Sequence, residues 1–100
     1  MLTLPIKKKW FDMILSGEKK EEYREIKPYY TNRFNSLFRM YPIDNPIGND
    51  TNLIAFRNGY SKHSPLFVAK CYLSRGTGNP EWGAEPGKEY YVLKILEVHP

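Results

Sequence analysis

Gly17-Glu18-Lys19-Lys20-Glu21-Glu22-Tyr23-Arg24 is the stretch on which the fold turns. A helical pattern ends at it and a charged strand begins within it. Upstream, Trp10, Met13 and Ile14 recur at helical spacing with Ile6 just ahead of them, which predicts a helix over Lys7 to Ser16. Gly17 then stands where helices commonly stop in a left-handed residue. Downstream, Lys19 to Ile26 is charged but has strand character. Regular alternation would put Lys20, Glu22, Arg24 and Ile26 on one face, and Lys19, Glu21, Tyr23 and Glu25 on the other.

Working outward, Leu2 to Ile6 reads as a first strand. Pro28 opens a second helix to Met40, with Tyr30, Phe34, Leu37 and Phe38 as its apolar stripe. Tyr41 to Thr51 is rich in Pro, Gly, Asn and Asp and reads as a loop. Leu53 to Arg57 is a strand, and Asn58-Gly59 starts a loop that runs to Pro65. Leu66 to Arg75 and Glu89 to Val98 are strands with apolar residues on both faces. Between them, the Gly-rich stretch from Gly76 to Gly87 surrounds Trp82 as a surface loop. The order β-α-β-α-β-β-β is an α+β pattern, and strands buried on two faces suit a small closed or nearly closed β-barrel packed by helices.

Composition bounds the rest. One hundred residues make a single domain, residues 1–100, with one modest core. Fifteen aromatic residues in an apolar fraction of 41% argue against general disorder and give that core much of its area. The net charge of +4 leans towards anionic partners, RNA or nucleotides among them. Cys71 stands alone inside an apolar run and reads as a core residue; no intramolecular disulfide can form. There is no apolar run long enough for a membrane span and no secretory pattern at the start, so a soluble cytoplasmic protein that acts by itself is expected. Two scattered histidines and one cysteine lack metal-ligand spacing, and no Gly-rich phosphate loop is present; neither metal nor cofactor is expected.

Gly17, Lys19, Glu22 and Arg24 fill a G-x-K-x-x-E-x-R pattern. That pattern, with the helix before it and the β-rich half after it, resembles the signature of the ASCH domain family, relatives of the PUA RNA-binding fold. The resemblance implies a barrel of five or six strands with two main helices, and a cleft beside the motif for RNA or a related ligand. Some family members resemble coactivator modules; others are small enzymes, an amidohydrolase of acetylated cytidine and a ribonuclease. The amidohydrolase resemblance implies a lysine, a nucleophilic threonine and a glutamate. Lys19 stands at the lysine position, but Glu22 occupies the threonine's place, so that chemistry lacks its nucleophile here.

The residues also carry a reading of their own. Lys19 and Arg24 can hold a phosphate, the one as a point charge, the other as a fork. Glu22 between them can accept from the amino edge of a base, or position a water as a general base. Lys19 can join the other two only from the turn after Gly17, before strand pairing begins. The bland alternative is a row of ion pairs on a solvated sheet face. Secondary candidates are Arg57, Tyr60 and Lys62, which can stack a base and hold its phosphate. Lys7, Lys8 and Lys9 crowd a helix start that favours negative charge, and so can form an anion-attracting surface. Trp82 can be a lid or a core plug, and His63 an exposed loop residue or an acid. The expected function is binding of RNA, a nucleotide or a modified nucleoside. Hydrolysis in the same cleft, with Lys19 and Glu22 as its catalytic groups, and a protein-interaction module are the alternatives.

Overall fold

The computed structural model describes residues 1–38 and 51–100. In chain order the elements are β1 (Leu2–Ile6), α1 (Lys8–Leu15), β2 (Glu21–Arg24), α2 (Pro28–Phe38), β3 (Thr51–Asn58), β4 (Leu66–Thr77) and β5 (Glu89–His99). A 3-10 turn, Pro80–Trp82, lies in the β4–β5 connection. The expected end of the second helix at residues 39–40 and the loop expected over 41–50 lie outside the described residues. Thr51, expected in that loop, begins β3.

The five strands form one curled sheet in the order β1-β3-β4-β5-β2. Among the described residues only the β1–β3 pair is parallel; the long β3–β4–β5 meander and the β5–β2 pair are antiparallel. The architecture is therefore α+β, a half-barrel whose two edges, β1 and β2, are not paired with each other. Pro5 suits its place on such an edge. It has no N–H to leave unpaired, and its carbonyl accepts from Arg24 Nη2 at 2.9 Å. One side chain thus reaches from one edge strand to the other.

The core fills the concave side. Ile54 and Phe56 of β3, Phe67, Ala69, Cys71 and Leu73 of β4, and Tyr91 and Leu93 of β5 alternate inward. Phe11 and Ile14 of α1 and Phe34 and Phe38 of α2 cap them. This corrects the expectation that the last two strands are buried on both faces throughout. On β4 the intervening Leu66, Val68, Lys70 and Tyr72 stay exposed or half-exposed, because no helix among the described residues covers that side. On β5 four consecutive residues, Tyr90 to Leu93, are buried. There the β4–β5 connection folds back over the outer face, and Tyr23, Ala84, Tyr90 and Val92 form a second small cluster with Trp82.

The two loops differ in kind. The Asn58 amide donates to the Pro65 carbonyl at 2.9 Å, which closes β3–β4 with a long loop rather than a tight hairpin. The β4–β5 connection is tied down at several points. Asn79 N–H donates to Tyr23 Oη at 2.9 Å, Glu85 N–H donates to Tyr90 Oη at 3.0 Å, and Asn79 caps the 3-10 turn through Glu81 N–H.

Candidate functional site

Helix α1 stops because Gly17 takes a φ of 85°, a left-handed conformation that costs glycine little. The amide of Gly17 returns to Ile14 O and that of Lys19 to Met13 O, at 3.1 and 2.9 Å. Regular pairing with β5 starts only at Glu21. Lys19 thus sits in the turn, free of strand alternation, which is the condition for it to meet Glu22.

It does meet it. Lys19 Nζ lies 2.9 Å from Glu22 Oε1, and Arg24 Nη1 lies 3.1 Å from Glu22 Oε2. Glu22 and Arg24 share the core-facing side of β2, opposite Leu93 and Tyr91. Lys19 also donates to the Trp82 carbonyl. Its ammonium stands 4.4 Å from the Trp10 ring centre and 5.3 Å from that of Tyr23, so it touches groups from both faces of the edge strand. Lys19 is 1% exposed and Glu22 5%. Burial lowers the Lys19 pKa, and the Glu22 carboxylate beside it opposes that shift. A solvated row of ion pairs is not what the chain builds here.

Above the triad is a cleft of about 390 Å³. Glu22 and Arg24 line it, with Trp10, Tyr23, Trp82 and Tyr90 as aromatic wall and Tyr60 at the rim. Lys7 and Lys8 line it too, though Lys8 is paired with Asp12 at 2.5 Å. Lys19 does not line the cleft; it backs Glu22 from beneath. The Tyr23 hydroxyl, buried and donating to Glu21 Oε1 at 2.8 Å, has its pKa raised chiefly by burial.

The secondary candidates separate. Tyr60 is 91% exposed and lines the cleft. Arg57 bends towards its own loop, with Nη1 3.4 Å from Ser61 O, and lines a smaller neighbouring hollow with Thr3, Pro5, Gly59 and Tyr60. Lys62 and His63 are exposed on the loop and are not among the residues around Glu22. Cys71 is fully buried, and burial pushes its thiol pKa up to about 12. Among the described residues there is no group of three or more His, Cys, Asp or Glu side chains able to hold a metal ion. Among them, too, no helix is long and apolar enough to cross a membrane.

Sequence reasoning missed three contacts that build the wall. Trp10 reads as core from its helical spacing, yet it is half-buried and stacks on Lys19. Trp82 contributes a backbone carbonyl, which no residue type announces. Gly83, at φ 104°, brings its backbone so close to Trp10 that a Cβ there would stand 3.0 Å from the indole. That contact was the one signal available, as a glycine following a tryptophan. The Trp82 segment is tethered by Lys19 at the Trp82 carbonyl and by Tyr23 at the Asn79 amide.

No family model, curated protein or solved structure matches the chain.

Proposed function

We propose that this chain is an ASCH-like domain of the PUA-related kind, and that its cleft binds the base of a nucleotide, a modified nucleoside or an RNA strand. The observation that carries the reading is the Glu22 carboxylate, held by Lys19 and Arg24 at the base of an aromatic-walled cleft. A fixed, charged acceptor between flat apolar walls complements a flat heterocycle with an amino edge, as a carboxylate complements cytosine N4. The cleft's volume lies within the ordinary range for small-ligand sites, roughly 300–1,000 Å³. Lys7 at the mouth and the guanidinium of Arg24 supply cations for a phosphate.

Binding is favoured over hydrolysis by the same geometry. Each Glu22 oxygen already accepts from a cation, and the Lys19 ammonium, which does not line the cleft, is committed to Glu22 and to Trp82 O. Neither group is placed as a free base beside a nucleophile.

The test is a titration of the purified protein with the four ribonucleoside monophosphates and a short RNA, across salt. Bases bearing an amino group should bind more tightly than uracil, and Glu22→Gln should erase that preference. RNA affinity should fall as salt rises. Absence of binding to every one of these at low salt would overturn the reading.

A further inference from the structure

Along the edge strand β1 the backbone groups alternate between two directions. The Ile6 carbonyl accepts from Gly59 N–H just past β3, so Leu2, Leu4 and Ile6 turn their N–H and C=O groups towards β3. Thr3 and Pro5 turn theirs the other way, into the open seam. At Pro5 that side is closed: its carbonyl accepts from Arg24, and it has no N–H. Thr3 is exposed and keeps both groups. Among the described residues, neither group makes a hydrogen bond across the seam.

A hollow of about 630 Å³ lies against this edge, between β1 and the start of α2. Leu2, Leu4, Pro28 and Tyr30 give it apolar walls. Tyr29 closes one side, with its ring face taken by the Arg33 guanidinium 3.6 Å from its centre. Arg24 and Lys27 line the hollow, and among the described residues no acidic side chain does. Each of these cations belongs to a group with positive charge in excess, since Arg24 shares Glu22 with Lys19, and Lys27 shares Glu25 with Lys88. Proteins blunt a sheet edge with proline, with charge or with a covering element. Here Pro5 and Arg24 blunt one end of β1, while the Thr3 end stays unpaired beside an apolar, cationic hollow.

We propose that this edge docks an extended acidic segment of a partner protein, which adds to the sheet beside β1. Its backbone exchanges hydrogen bonds with the N–H and C=O of Thr3. One apolar side chain enters the hollow, and carboxylates beside it face Lys27 and Arg24. A peptide supplies both the donor and the acceptor that Thr3 asks for, whereas a phosphodiester backbone has no N–H to give. The proposal stands apart from the base-binding reading, because neither Thr3 nor Lys27 lines the Glu22 cleft.

The probe is a fluorescein-labelled peptide, Asp-Asp-Val-Val-Val-Asp-Asp, whose order is the same from either end and so fits either strand direction. Anisotropy titrations should show binding to the wild type at low salt that weakens as salt rises. The same peptide N-methylated at its three valines keeps its charge but loses the donors, and should bind about tenfold more weakly or worse. Thr3→Pro should lose about as much; the N–H it removes faces away from β3, so the fold is kept, which circular dichroism checks. Lys27→Glu should lose about fivefold. By NMR, the Thr3 amide should exchange with solvent markedly more slowly once the peptide is bound. No binding at low salt, equal binding of the N-methylated peptide, or unchanged exchange at Thr3 would each overturn the proposal. So would displacement of the peptide by an oligouridylate that binds Thr3→Pro and wild type alike, which would make the groove a nucleic-acid surface. Adenosine monophosphate, titrated in parallel, reports on the Glu22 cleft, so that either reading can fail without the other.

Discussion

Glu22→Gln removes one charge from the buried triad while keeping its shape, and its cost can be worked from the contacts. At 2.9 Å, and at an effective dielectric of about 20, the Lys19–Glu22 attraction is about 6 kcal/mol before desolvation is subtracted. Removing one member of a buried pair costs about 3–5 kcal/mol, because the other is left charged and unpaired. Here the low end applies. Lys19 keeps the Trp82 carbonyl and the Trp10 ring, and Arg24 keeps Pro5 O. We expect about 3 kcal/mol, or a fall in Tm of about 12–24 °C for a domain of this size. Lys19→Met should cost less, about 1–2 kcal/mol, since Glu22 retains Arg24 and the methionine retains most of the apolar stem. The double variant should cost about 2–3 kcal/mol, well under the sum, with a coupling near 2 kcal/mol. Urea unfolding followed by tryptophan fluorescence is the natural assay, since Trp10 and Trp82 both flank the ammonium. Single-variant costs that simply add, with coupling under about 0.5 kcal/mol, would refute the triad.

Three further outcomes can be checked on the same protein. Burial sets the Lys19 pKa below its ordinary 10.5, so unfolding takes up a proton between the lowered value and 10.5; stability should rise with pH across that window, and Lys19→Met should abolish this part of the slope. A urea midpoint with the same pH dependence in the wild type and in Lys19→Met would contradict it. In Gly78→Ala the new Cβ would meet Ala84 Cβ at 2.6 Å and the Tyr23 ring at 2.7 Å, so a loss of about 1–3 kcal/mol is expected, with altered tryptophan emission as the Trp82 wall shifts. Cys71, fully buried and with its pKa pushed up to about 12, should resist a disulfide-exchange reagent at neutral pH until urea unfolds the chain; fast labelling of the native protein would show the β4 interior to be open.

How far the sequence carried depends on whether the deciding interaction was local. Gly17 was legible because a helix stop needs only the residues around it, and the same turn explains how Lys19 escapes the alternation that would send it away from Glu22. The β1-α1-β2-α2 order and the long 58–65 loop were legible for the same reason. The difference between β4 and β5, both expected to be buried on two faces, was not, since only β5 is covered by the connection from β4 folding back, while β4 residues of like composition stay half-exposed. Arg57 looked like a partner for Tyr60 from adjacency alone. In three dimensions its guanidinium is drawn to Ser61 O and it shares only the smaller hollow with Tyr60, while Arg24, far off in sequence, lines the main cleft with it. Trp82 O, 63 residues from Lys19, lay beyond any local pattern.

The triad is hard to explain as a stabilising device. Well-packed apolar side chains in place of a buried ion pair are often neutral or stabilising by about 1–4 kcal/mol, so folding alone would favour a leucine or methionine at Lys19 and Glu22. Arg24 does have a structural role, because it ties the open edge of β2 to Pro5 on β1 across a seam that backbone pairing leaves open. That tie needs the Pro5 carbonyl and not Glu22. What Lys19 and Glu22 add is a charged acceptor fixed in direction at the base of a cleft, and a guanidinium fixed at its edge. Both are arrangements whose value appears when a polar, anionic ligand replaces water there. The same seam fixes where stability and binding are coupled. A ligand held at Arg24 binds the folded chain and not the unfolded one, so Tm should keep rising with the logarithm of ligand concentration beyond Kd, where the site is already full.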